Sequence, residues 1–180
     1  MFDFRREIYL KNSGRIRIEY GVTTHFKYAS DTSIFVESEN EKFLAAVDVK
    51  QDDELVEISR KKTGILNDLL FWRNKWRSCF RVTISAPSFT EISGMYGSHF
   101  CFEEIEQTEM SVALDSGSSG TLYCADVGVL YIRLSSGSSC KVTGKCSKIL
   151  LQSDDSSTLD ADCTCPKLES ETVVEPLVVR

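Results

Sequence analysis

Few side chains in this sequence combine type and spacing in a way that chemistry could use. His99 and Cys101 stand two apart, a spacing that puts both on one side of a strand, where an imidazole could take the proton of a thiol nucleophile. His25 is the only other histidine. Neither an orienting partner nor an oxyanion loop accompanies the pair, so a structural role is favoured for both residues and a Cys/His-dependent hydrolase is a remote alternative. Serine is abundant, yet no G-x-S-x-G elbow occurs in a strand-to-helix setting. The glycines are isolated, and the Gly-Ser-Ser turns precede strands rather than helices, so no phosphate-cradling loop is read. Asp154, Asp155, Asp160 and Asp162 form an acidic cluster, with Asp160 and Asp162 on one side of a strand. Calcium would ask for an EF-hand loop or a nonapeptide repeat; without either, a solvated outer face that resists aggregation is the preferred reading. No catalytic, cofactor or metal residue is assigned, and the chain is expected not to be an enzyme.

Seven cysteines, Cys79, Cys101, Cys124, Cys140, Cys146, Cys163 and Cys165, make an odd set. Zinc spacing is poor, because Cys163 and Cys165 form only a C-x-C, Cys140 and Cys146 are six apart, and no histidine is near either pair. Most are read as reduced thiols packed as small apolar side chains. The N-terminus puts acid and paired arginines where a secretory signal would need a basic start and an apolar core. Together these features favour a reducing compartment. No apolar run reaches the roughly 18 to 20 residues of a membrane-spanning helix.

A hydrophobic fraction of 42% with 27% charged residues suits a folded globular chain and argues against general disorder. Residues 1–90 hold 15 basic against 13 acidic groups, a balance of +2, whereas residues 91–180 hold 6 against 14, a balance of −8. The second half should repel nucleic acid, which needs clustered Lys and Arg for its phosphates.

The elements that must carry these residues are short strands. In GRIRIEY, Ile16, Ile18 and Tyr20 share one face and Arg15, Arg17 and Glu19 the other; THFKYA, SIFVESE and DELVEISRKK follow as further strands. ENEKFLAAVDVK reads as one helical turn leading into a strand. Residues 61–80 differ: Ile65, Leu66, Leu69, Leu70 and Trp72 are interspersed with Arg73, Lys75 and Arg77, making a Trp/basic connection. Trp72, Arg73, Lys75, Trp76 and Arg77 could bind a membrane surface or a partner; a hairpin connection whose tryptophans pack on the body is preferred.

From Phe89 onward a repeat is visible. SGMYGS at 93–98, DSGSSG at 115–120, SSGSSC at 135–140 and SDDSST at 153–158 are polar turns about twenty residues apart. Alternating segments precede the later turns (MSVALD, LYIRLS, ILLQS) and short ones follow each (HFCFEE, TLYCAD, CKVTGK, TLDADC). Two strands and two bends per unit describe a coil that cannot bury its apolar face alone and must stack on neighbours. Gly94, Gly97, Gly117, Gly120 and Gly137 are expected at the turns, with Gly117 and Gly137 supplying positive φ, and Asp155 tolerating a left-handed conformation in the fourth turn. The expected fold is all-β: a single-stranded, right-handed β-solenoid or β-helix-like stack of short strands. About four imperfect coils of about 20 residues make up its C-terminal half. One domain, 1–180, is expected, made of N-terminal strands (1–60), the connection (61–80), coils (81–165) and a C-terminal cap or pairing segment (166–180).

The sequence resembles the putative auto-transporter adhesin "head GIN" domain family. The likeness is carried by the opening GRIRIEYGVTTHFKYASDTSIFVESENEKFLAAVDVKQDDELVEISRKK, the bridge RVTISAPSFTEISGMYGS and the successive SGSSG and SGSSC turns. It implies a β-solenoid-like domain of the bacterial cell surface or periplasm, with a non-catalytic adhesive or structural role. Two functions stand side by side, the first in keeping with the resemblance and the second with the reduced cysteines and the N-terminus that lacks a secretory signal. An adhesin-like binding module would contact a protein or glycan through Ser, Thr and aromatic groups such as Tyr123 and Tyr131. An intracellular scaffold or assembly subunit would instead oligomerise through the solenoid ends, where unpaired strand edges need a cap or a partner.

Overall fold

Period-two alternation decides the architecture, because it gives each strand one apolar side to hide and one polar side to hydrate. The computed structural model describes residues 4–11, 13–39, 41–52, 54–61, 80–164 and 167–172. Its elements are β1 (Phe4–Tyr9), β2 (Arg15–Ile18), β3 (Thr23–Tyr28), β4 (Ser33–Ser38), a helical turn α1 (Glu41–Leu44), β5 (Val47–Gln51) and β6 (Leu55–Arg60). Then come β7 (Phe80–Ala86), β8 (Glu91–Gly94), β9 (His99–Leu114), β10 (Ser119–Leu134), β11 (Ser139–Ser153), β12 (Thr158–Thr164) and β13 (Leu168–Thr172). The fold is all-β, and all thirteen strands join one curled, open sheet.

The sheet has two arms. One runs β1, β4, β7, β3 and then the first halves of β9, β10 and β11, ending on β12. The other runs β5, β6, β2, β8 and then the second halves of the same long strands, ending on β13. Among the described strands, antiparallel pairing is confined to β1 with β4, β4 with β7 and β5 with β6, and the other pairs are parallel. Across β9, β10 and β11 the register starts at a constant offset, with Ser119 opposite His99 and Ser139 opposite Ser119.

One expectation is corrected here. The segments between each of the first three turns and the turn that follows it are not separate short strands: HFCFEE and MSVAL belong to a single 16-residue strand, β9. Its counterparts β10 and β11 have 16 and 15 residues. Each bends at a corner without ending. Glu104 (φ 57) marks the corner in β9, a register shift between Cys124 and Val127 that in β10, and Gly144 (φ 98) that in β11. A β-bulge allows this, turning the chain while the ladder resumes beyond it.

The inner faces of both arms form one hydrophobic cluster. Aligned layers show how volume is shared. Phe100, Gly120, Cys140 and Leu159 are stacked in register, as are Phe102, Leu122, Val142 and Ala161. Gly120 therefore belongs to the core and not to a corner: a Cβ there would sit 2.7 Å from Cζ of Phe100, so the ring lies in the space the glycine leaves. Gly94 likewise ends a strand, with its Cβ direction filled by Leu114 Cδ2 and Ser98 Oγ, each at 2.9 Å.

The turns stack as a third column. Tyr20–Gly21, Tyr96–Gly97, Ser116–Gly117 and Ser136–Gly137 each place two consecutive residues at φ between 54 and 72. That is the mirror-image turn in which both central residues are left-handed. Layer bonds to layer: Gly21 N–H donates to Tyr96 O (3.1 Å), Gly97 N–H to Ser116 O (3.0 Å) and Gly117 N–H to Ser136 O (3.0 Å). The fourth repeat turn differs from expectation, since Asp155 is not left-handed. Asp154 builds it instead, its carboxylate accepting from Ser156 N–H (3.1 Å) and from Ser136 N–H of the layer below (2.6 Å). An aspartate that bonds the backbone two residues on makes a turn without positive φ.

Behind the tips, Ser98, Ser118 and Ser138 are buried one above another. Ser98 Oγ donates to Ser118 Oγ (3.3 Å); Ser138 Oγ accepts from Ser135 N–H (3.0 Å) and donates to Leu114 O (2.9 Å). Ser138→Ala removes two partners at once in a dry place. It is expected to cost about 1–3 kcal/mol in urea denaturation, against less than about 0.5 kcal/mol for Ser139→Ala on the exposed side.

Candidate functional site

The outward rows and the turn tips are the surfaces these elements hold in place. On the first arm, Tyr123 of β10 is 45% exposed and stands opposite Thr143, which in turn faces Asp162 of β12. On the second arm, Tyr131 is 39% exposed and lies between Ser111 of β9 and Leu150 of β11. The two tyrosines are thus on different arms and are not brought together. Trp72, Arg73, Lys75, Trp76 and Arg77 lie outside the described residues, as do Cys79 and Cys165.

Gly97, Gly117 and Gly137 have φ of 71, 71 and 72, and a Cβ on any of them would meet open space. The tips of the turns therefore carry only what their left-handed partners provide: Tyr20, Tyr96, Ser116 and Ser136. The tyrosines at these tips are the feature that reading the repeat missed. A bulky residue at positive φ is uncommon, and the paired Tyr-Gly dipeptides at 20–21 and 96–97 were the available signal. Their rings stack at 4.9 Å with 8° between planes, and Tyr96 remains 49% exposed.

Charge at the turns is held by hydroxyls. Burial pushes the Asp115 carboxyl up, but hydrogen bonds from Ser136, Ser135 and Ser116 outweigh it and hold the group below the ordinary aspartate value. Ser135 Oγ reaches Asp115 Oδ1 at 2.9 Å and Ser116 Oγ reaches Oδ2 at 3.1 Å. Asp154 is lowered to about 2, chiefly by the Ser157 hydroxyl and the Ser136 N–H. In the expected acidic cluster, Asp160 pairs with Lys141 at 3.6 Å. Among the described residues no group of three or more His, Cys, Asp or Glu is arranged to hold a metal ion.

His99 and Cys101 do share the outer side of β9, yet each faces elsewhere. His99 Nδ1 is 2.8 Å from Ser119 Oγ, while Cys101 is opposite His25 of β3. Burial and then Glu103 push the Cys101 thiol up. Burial and then Arg81 push the His25 imidazole down. Both shifts run against a thiolate–imidazolium pair, which needs a lowered thiol.

Deeper in, Cys124, Cys146 and Cys163 gather at the corner. The Cys146 thiol is raised by its hydrogen bond with Cys124 and by burial, and Cys140 is pushed up to about 12 by burial. Cys101 and Cys163 are half-buried, and Cys124, Cys140 and Cys146 are buried. Because the thiolate is the nucleophile, iodoacetamide at pH 8 should label Cys101 and Cys163 first among the five described cysteines, as peptide mass mapping will show. Cys140 and Cys146 should react only on unfolding.

Comparison with known proteins fits this architecture. A putative lipid binding protein from Parabacteroides distasonis ATCC 8503 superposes with a TM-score of 0.60 at 12% identity, covering 94% of this chain and 78% of the other. A putative adhesin from the same organism gives a TM-score of 0.58 at 10% identity, covering 94% and 77%. At such identities the likeness is one of fold. None of the curated proteins matches the sequence. Residues 14–171 match the family described as putative auto-transporter adhesin, head GIN domain, a stretch that takes in β2 to β12 and most of β13, and the chain belongs to that family.

Proposed function

We propose that this chain is a non-catalytic, adhesin-like binding module. Its single domain, 1–180, would present the outer side of a right-handed β-solenoid-like stack of about four imperfect coils to a protein or a glycan. The observation that carries the reading is the parallel pairing, which lines up outward side chains layer upon layer: His99, Ser119, Ser139 and Thr158 form one such row. A rigid row of hydroxyl and aromatic groups repeated at about 4.8 Å suits recognition of an extended partner and offers no converging acid, base and nucleophile. Tyr123 and Tyr131 are the proposed contacts on the two arms, with Trp72, Arg73, Lys75, Trp76 and Arg77 as a further contact segment.

The test is to present the purified protein to arrays of immobilised glycans and extracellular proteins beside a Tyr123→Ser/Tyr131→Ser double variant. Saturable binding to a partner, weakened at least tenfold in the variant, is the expected result. Turnover of ester, glycoside or peptide substrates with no saturable binding would overturn it. A second reading, an intracellular scaffold, is favoured by one observation: β12 and β13 each pair with β11 alone among the described strands, leaving edges that a further chain could extend. Sedimentation discriminates the two, since concentration-dependent growth into assemblies belongs to the scaffold and a stable monomer to the adhesin.

A further inference from the structure

The turn column contains a step. Tyr20 covers one face of the Tyr96 ring, in parallel stacking at 4.9 Å. On the opposite side of Tyr96, the next two layers are reached through Gly97 N–H to Ser116 O and Gly117 N–H to Ser136 O, each 3.0 Å. Where the first two turns carry tyrosine these carry serine, and the adjoining glycines leave open space. The second face of Tyr96 therefore rises over a low floor of Ser116 and Ser136 tips, and the ring stays half exposed.

The chemistry of this floor is one-sided. Ser116 Oγ donates its proton to Asp115, and Ser136 and Ser135 also bond that carboxylate. With their protons directed at Asp115, the serine oxygens offer lone pairs outward and act as acceptors. An anionic ligand would meet the Asp115 charge with no cation from these tips. A flat patch of C–H groups would find the aromatic face, and hydroxyl donors would find the serine oxygens. A neutral sugar ring has both on one small frame.

We propose that Tyr96, with the Ser116 and Ser136 tips, forms a subsite for a neutral hexopyranose, its C–H face on the Tyr96 ring and its hydroxyls donating to the serine oxygens. The proposal rests on the binding-module reading and narrows its partner to a glycan. Asp115 acts as the positioning residue that fixes both hydroxyls.

The test uses the full chain, labelled with nitrogen-15 and titrated separately with methyl β-D-glucopyranoside, methyl β-D-galactopyranoside and methyl α-D-mannopyranoside, with N-acetylarginine amide and glucose 6-phosphate as contrasts. At least one methyl glycoside should give saturable shifts at the Gly97, Gly117 and Gly137 amides, with a dissociation constant on the order of millimolar, as one ring on one subsite allows. Tyr96→Ser recreates the Ser-Gly pair that already folds at 116–117 and 136–137, so its spectrum should stay native while the dissociation constant rises at least tenfold. Tyr9→Ser, an exposed position on the edge strand β1, should leave the constant unchanged. The proposal is overturned by saturable shifts of equal strength in Tyr96→Ser, by a stronger response to either contrast compound, or by no response to any of the three sugars. If the arrays above still show a partner whose binding depends on Tyr123 or Tyr131, the subsite alone has failed; if they show none, the module reading has failed with it.

Discussion

Gly144→Ala is expected to lower the melting temperature more than a methyl added at any other described glycine of the turns or corners. The residue has φ 98 and sits at the bend of β11, where an added Cβ would lie 2.0 Å from the carbonyl oxygen of Cys124 and 3.0 Å from its carbonyl carbon. The obstructing atoms are backbone, locked into the neighbouring strand by the ladder on both sides, and they cannot turn aside as a side chain could. Overpacking of about 1–3 kcal/mol, added to about 1–2 kcal/mol for an L-residue in the left-handed region, gives roughly 2–5 kcal/mol. Set against a typical net stability of about 5–15 kcal/mol, this is a fall of about 4–20 °C for a chain of this size. Gly137→Ala is the matched control: its φ is 72, but the Cβ would point into open space, so only the conformational cost of about 1–2 kcal/mol applies. Calorimetry of the two variants should separate them by several degrees, and equal melting points would refute the collision.

Phe89→Ala should be of similar size for a different reason. Phe89 is in the connection between β7 and β8, fully buried, with its ring 5.0 Å from that of Phe102 and 5.2 Å from that of Phe26, both edge-on, and 5.9 Å from that of Tyr28. Its carbonyl accepts from Gln107 Nε2 at 2.8 Å, which ties the connection to the corner of β9. Truncation leaves a cavity walled by three aromatic rings on strands that cannot close in, so about 3–5 kcal/mol is expected from chemical denaturation. Phe89→Leu, which keeps most of the volume, should cost less than about 2 kcal/mol. Combining Phe89→Ala with Phe26→Ala should fall short of the sum of the two, since both deletions empty the same space.

What the sequence made legible follows from the range of the interactions that write it. Alternation in GRIRIEY is local, and β2 buries Ile16 and Ile18 as the pattern requires. The Ser-Gly turns are equally local, because positive φ at Gly117 and Gly137 is a property of the residue itself. The long strands were not legible. Nothing within HFCFEEIEQTEMSVAL says that the chain turns at Glu104 and goes on pairing, since the ladder that decides it comes from residues twenty positions away. Gly120 was misplaced for the same reason: it looks like turn glycine beside SGSS, and only Phe100 in the layer below explains it. The tyrosine step is non-local in the same way, because Tyr20 and Tyr96 meet only when two layers distant in sequence are stacked.

The pairing register carries a consequence for how such a chain can change in length. Ser98, Ser118 and Ser138 recur at intervals of twenty, and so do the turns that hold them, whereas β11 reaches its partners β12 and β13 at an interval of nineteen. The missing residue is absorbed at the corner, where pairing passes from Cys124 opposite Gly144 to Val127 opposite Cys146. The corner is thus the joint that takes up single-residue gains and losses, while the turn column behaves like a fixed spine. Insertion of a whole layer, such as a duplicate of residues 115–134, would leave the layer-to-layer backbone bonds of the turn column with equivalents, which a single inserted residue in a turn would not.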